Sequence, residues 1–223
     1  MTTTLSADIV SSTTLEKDEV LELHGYLEEF LAMIDAQFSK SWGRIVRGDG
    51  IECALSHQRD TLRCAMLLKC YIKAFHADSP AYSSAAASSG RRRFVRYGVR
   101  IAVGFGGLRI NDSKRGIIDG ESIYNSGRAL EKMTGRSGRS MTVAGLTGEH
   151  SEIVQALFSL VDALIVHASA KQCRILVQSL LGTPNVEIAR MNGISQAAVA
   201  GHLSRSGWKA MSEALKVYEN ILS

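Results

Sequence analysis

The chain has 223 residues, 45% of them apolar and 22% charged, and a net charge of +4. That length suits one large or two small domains, and the composition is that of an ordinary globular protein rather than a disordered one. No apolar run approaches the roughly 20 residues a membrane span needs, and no basic stretch precedes an apolar one at the N-terminus, so neither a membrane anchor nor a secretory signal is expected and the protein reads as cytoplasmic.

Thr4 to Val10 is predicted as a first strand; it carries Asp8 and runs into a loop of serines and threonines. From Thr14 to about Phe38, Leu21, Leu23, Tyr26, Leu27, Phe30, Leu31, Ile34 and Phe38 recur at helical spacing, which predicts a long amphipathic helix. Gly43 to Val46 and Ile51 to Leu55 flank Arg47-Gly48-Asp49-Gly50, the pattern of a hairpin with Asp49 in its turn. A second amphipathic helix is predicted from Gln58 to Phe75. Ser79 to Arg93, rich in Ser, Ala and Gly, reads as a mobile loop whose Arg91-Arg92-Arg93 end is either a solvated charge run or a phosphate contact. Val95 to Val103 is predicted as a strand, Gly116 to Gly120 leads into a helix over Glu121 to Met133, and Ser140 to Ala144 is a last short strand. A striped helix follows from Glu149 to Ala168, and the remainder is helical. The expected units are therefore 1–147, a connecting helix over 148–168, and 169–223. Cys53, Cys64, Cys70 and Cys173 lack metal-ligand spacing and read as core-facing thiols rather than disulfides.

Charge is unevenly spread. From Ser169 onward there are six basic residues to three acidic, leaving twenty to nineteen before it. A basic surplus on a small helical unit suits a phosphate backbone. Within it, Pro184 sets a helix start, Ile188 and Ala189 supply an inward face, and Gly193 stands where a turn needs a left-handed residue. Ser195 then caps a second helix anchored by Val199 and Leu203. This spacing resembles helix-turn-helix modules of the LuxR and sigma-factor type, with Asn192 at a position usually apolar. The resemblance implies that Ser195 to Leu203 is a recognition helix for double-stranded DNA. Gln196, Ala197, Ala200 and His202 would face bases, and Arg190, Arg205 and Lys209 would reach phosphates. A helical protein-interaction module is the competing reading.

The first 147 residues carry a second pattern. Ala7-Asp8-Ile9-Val10-Ser11-Ser12-Thr13, the Asp49 hairpin, Val99 to Gly106, and Gly120 to Glu131 stand in the order of the motifs of class III adenylate and guanylate cyclases, which they resemble in a degenerate form. The resemblance implies an α+β, ferredoxin-like βαββαβ domain that forms a homodimer with sites across the interface. It implies that Asp8, the Ile9 carbonyl and Asp49 hold Mg2+ or Mn2+, and that Ser11, Ser12, Thr13, Tyr124 and Asn125 lie against a nucleotide. Arg128 would be the transition-state arginine if the site is active. The family's purine-selecting Lys and Asp fall on Ile45 and Ile117, and its Asn falls on Tyr124 with Asn125 adjacent. A site that cannot orient the purine loses the alignment that cyclisation needs. The combination resembles bacterial SatD-like regulators. The chain is thus expected to be a DNA-binding transcriptional regulator with a dimerising, catalytically inactive, cyclase-like sensor domain. The competing expectation is an active cyclase, or another nucleotide- or metal-binding phosphoryl enzyme, regulated by a DNA-binding tail.

Overall fold

The computed structural model describes residues 2–46, 48–79, 82, 88–133 and 138–222. Its centre is a sheet of strands β1 (Thr3–Ile9), β2 (Trp42–Val46), β3 (Gly50–Leu55), β4 (Val99–Phe105) and β7 (Met141–Ala144) in the order β2-β3-β1-β4-β7. Strand β1 is central because it can be buried on both faces. Leu5, Ala7 and Ile9 enter the main core, while Thr4, Ser6 and Asp8 alternate to the opposite side. It pairs antiparallel with β3, Asp8 opposite Gly50, and with β4, Asp8 opposite Arg100; β7 joins β4 in parallel.

Helices α1 (Lys17–Gln37) and α2 (Thr61–Ala74) cover the apolar face. Helix α1 starts in a capping box of Glu16 and Glu19, and its Leu23, Leu27, Phe30 and Ile34 are buried at helical spacing. With the β2–β3 hairpin, β1-α1-β2-β3-α2-β4 is a βαββαβ unit in ferredoxin-like strand order. Helix α4 (Glu121–Lys132) lies on the other face, against β1 and β4. Its approach depends on Gly104, where a β-carbon would stand 1.9 Å from the Ser122 carbonyl oxygen. At this contact the Ser126 hydroxyl shares hydrogen bonds with Thr4 and Ser6, 3.1 and 2.8 Å away.

Two expectations are corrected. Arg91 to Arg93 lie in a helix, α3 (Ser89–Tyr97), not in a loop, and the following strand begins at Val99 rather than Val95. Ser88 caps α3 by accepting from the Arg91 N–H, Phe94 anchors it in the core, and Gly98 at φ 65° ends it. Residues 80, 81 and 83–87 of the predicted loop lie outside the described residues. A hairpin of β5 (Leu108–Asp112) and β6 (Ile117–Gly120) also precedes α4, whereas the sequence pattern marks only the run Gly116 to Gly120. It folds back over β2: Trp42 Nε1 donates to Asn111 Oδ1 at 2.6 Å, and Arg44 donates to the Gly116 carbonyl.

From Ser151 the chain is helical: α5 (Ser151–His167), α6 (Ala170–Leu180), α7 (Asn185–Asn192), α8 (Gln196–Arg205) and α9 (Trp208–Ile221). These helices share one core cluster with the sheet unit. Helix α6 packs along α2, and α9 packs on α5, where Phe158 and Tyr218 meet edge to face at 5.9 Å. The Tyr218 hydroxyl donates to the Gln58 carbonyl at 2.9 Å, and Arg63 reaches both Glu219 and the Leu180 carbonyl. A buried pair, Lys69 with Asp162 at 3.2 Å, ties α2 to α5; Asp162 also accepts from the Ser140 and Met141 N–H groups and so positions β7. All four cysteines are buried and free. No described helix is long and apolar enough to cross a membrane.

Candidate functional site

Asp8 ends the polar face of β1, and its cross-strand partner on β4 is Arg100. Register alone therefore sets a guanidinium beside the carboxylate. Arg100 grips both oxygens, Nε to Oδ1 at 2.9 Å and Nη2 to Oδ2, and donates Nη1 to the Met133 carbonyl at 2.5 Å. The hydrogen bonds that Arg100 donates to Asp8 hold the guanidinium proton more firmly than usual. Asp49, in the β2–β3 turn, accepts from the Ser12 hydroxyl at 2.5 Å. Ser12 can reach it because the loop turns sharply at Ser11, a non-glycine residue at φ 60°, into a 3-10 turn over Ser12–Thr14.

Asp8 and Asp49 line one cleft of about 680 Å³, together with Arg44, Glu52, Gly127, Leu130 and Glu131. Arg44 and Glu52 face each other across β2 and β3 and pair at 2.5 Å. A second cavity of about 390 Å³ lies behind the Ser11 loop, lined by Thr13, Thr14, Ser89, Arg93 and Arg100. Arg100 lines this second cavity and is bonded to Asp8 of the first. Sequence reasoning missed Arg44, Glu52 and Arg100. Counting outward from the Gly48–Gly50 turn pairs 44 with 52, so that pair was within reach; nothing local to Arg100 marks Asp8 as its neighbour.

The other expected nucleotide residues are on α4, but it is Gly127, Leu130 and Glu131 that line the cleft from that helix. Asn125 turns inward and donates to the Phe105 carbonyl at 2.8 Å. Tyr124 and Arg128 are exposed, and the Tyr124 hydroxyl donates to Asp119. That bond, then the Arg109 guanidinium, holds the Asp119 carboxyl below its usual range. Ile45 packs against the core and Ile117 is exposed; neither can read a purine edge.

The residues do not fit a resident Mg2+ or Mn2+. A hard divalent cation takes about six oxygens, whereas both oxygens of Asp8 are occupied by Arg100, which already supplies the positive charge. No group of three or more His, Cys, Asp or Glu able to hold a metal occurs among the described residues.

In the helical unit, α7 and α8 are joined by Gly193, Ile194 and Ser195. Gly193 is left-handed at φ 62°, ψ 33°, and the Ser195 side chain accepts from the Ala198 N–H at 3.1 Å. Ile188, Ala189, Val199 and Leu203 are buried, while Gln196, Ala197, Ala200, Arg205 and Lys209 are exposed. Asn192 is accounted for: its side chain donates to Gln178 on α6 and to the Ile188 carbonyl, both at 2.7 Å. His202 is half-buried, with Nδ1 inaccessible and unbonded among the described residues. Arg190 is held by Glu187 at 2.5 Å.

The solved structures that resemble this chain include two cyclases. One is a bacterial light-regulated adenylyl cyclase, 15% identical over 64% of this chain and 42% of that one, with a TM-score of 0.42. The other is the guanylyl cyclase Cya2, 20% identical over 64% of this chain and 73% of that one, with a TM-score of 0.40. The chain spans less than half the length of the first. No family model matches the chain, and no curated protein does.

Proposed function

We propose that the chain is a cytoplasmic DNA-binding regulator in which a cyclase-like sheet unit pairs two copies of a helix-turn-helix unit and does not itself cyclise nucleotides. The observation that carries the reading is the outward face of α8. Gln196, Ala197 and Ala200 are exposed at its start, Arg205 and Lys209 follow, and no acidic residue occurs between Glu187 and Glu213. A short polar and methyl surface with cations beyond it suits a major groove flanked by phosphates. The small side chains at 197 and 200 read few base edges, so one copy would bind weakly and pairing would supply the affinity. The expected homodimer rests on the family resemblance.

Fluorescence anisotropy with a labelled duplex tests this. Affinity should fall linearly with the logarithm of salt, and Arg205→Gln and Lys209→Gln should each lower that slope by about 1 per chain. Absence of any salt-dependent affinity would sink the reading in favour of a protein-interaction unit.

The competing reading, a nucleotide-processing enzyme, is favoured by the single cleft that Asp8 and Asp49 share. Against it stand the Arg100 grip on Asp8 and the isoleucines at 45 and 117. A cyclic product from ATP or GTP with Mn2+, abolished by Asp8→Ala, would establish the enzyme.

A further inference from the structure

A third cavity lies where the sheet unit meets the helical unit. It measures about 500 Å³ and opens between the end of α2, helix α3 and the start of α6. That is the size of a small-molecule site. One wall is aromatic. The His76 ring stacks on Tyr82 at 3.6 Å and 16°, and Phe94 meets both edge-on at 5.9 Å. His76 Nε2 is buried and without a hydrogen-bond partner among the described residues. Burial lowers the His76 pKa to about 4, so the ring is neutral and belongs to the apolar wall.

The opposite wall is the first turn of α6, with Ser169, Ala170 and Lys171. The local acids are already paired: Asp78 with Arg174 at 2.5 Å, and Glu19 with Arg91 at 3.4 Å. Lys171 is exposed and Lys73 is buried on three carbonyls, so the cavity carries a surplus of positive charge. The helix start adds to it.

We propose that this cavity binds a planar aromatic carboxylate, its ring against His76, Tyr82 and Phe94 and its carboxylate at Lys171 and the start of α6. Such a ligand touches both units, so it reports to the helical unit independently of the Asp8 cleft, and the assignment does not depend on DNA binding. Isothermal titration of the full chain with 1-naphthoate tests it. The expected result is saturable one-site binding, weakened at least about tenfold by Lys171→Glu and by the cavity-filling Ala170→Trp, and at least as much when 1-naphthalenemethanol replaces the anion. Lys171 is exposed, so its variant folds, and far-UV circular dichroism checks the other. No saturable binding at millimolar 1-naphthoate, or equal affinity in both variants, overturns the site. Equal affinity for the alcohol overturns the anionic assignment.

Discussion

Arg100 shows how a single register decides chemistry. Its guanidinium reaches Asp8 only because β4 pairs antiparallel with β1 at that position. Buried lysines show the same dependence. Lys69 is charge-compensated by Asp162, whereas Lys73 faces carbonyl oxygens of Val95, Arg96 and Val166 and makes no salt bridge among the described residues. Burial pushes the Lys73 pKa down to about 8. Between that value and the ordinary lysine range the unfolded chain binds a proton that the folded chain does not. Stability therefore rises with pH across that window, by at most about 1.4 kcal/mol per unit; below it both states are protonated and the cost of the buried charge is constant. Lys73→Met should remove this slope, read as the difference between variant and wild-type urea unfolding at pH 7.5 and 9.5. Equal slopes would contradict the assignment.

At the scale of elements, long periodic segments were legible and short ones were not. Helix α1 announces itself by apolar spacing and its acidic first turn. Helix α3 does not: within Ser89–Tyr97 its single buried anchor is Phe94, and four of its other eight residues are arginines. Strand β5 has alternating residues that are largely exposed, so the apolar signal that marks a strand is weak there. The α7–α8 turn was legible because it depends on one backbone conformation. At Gly193, φ 62° favours glycine and then asparagine. Gly193→Val should destabilise by about 2 kcal/mol and Gly193→Asn by less than 1. Thermal unfolding of the two variants measures this; equal losses would mean that the turn has relaxed out of the left-handed region.

At the scale of the molecule, the helical unit shares a core with the sheet unit through α2, α5, α6 and α9. Separate folding would strip α2 of the α6 contact and expose Cys70 and Cys173 together. One cooperative transition is therefore expected. The two tryptophans allow a direct check, since Trp42 is in β2 and Trp208 begins α9. The single-tryptophan variants Trp208→Phe and Trp42→Phe should each show a fluorescence midpoint in urea that coincides with that variant's own circular-dichroism midpoint. A fluorescence transition that precedes the far-UV change in either variant would reveal two independent units.

The sequence by itself determined the alternation of strands and helices up to Ala144 except for α3 and β5, the all-helical remainder, and the capped turn before α8, because those depend on local periodicity and on the conformational needs of Gly193 and Ser195. It also set Asp8 and Asp49 near strand ends. Only the tertiary structure decided what those carboxylates touch, that Arg44 meets Glu52, that Asn125 turns inward, and that a cavity opens between α2, α3 and α6. Those are contacts between residues far apart in the chain, and they depend on strand register and helix packing, which no local pattern encodes.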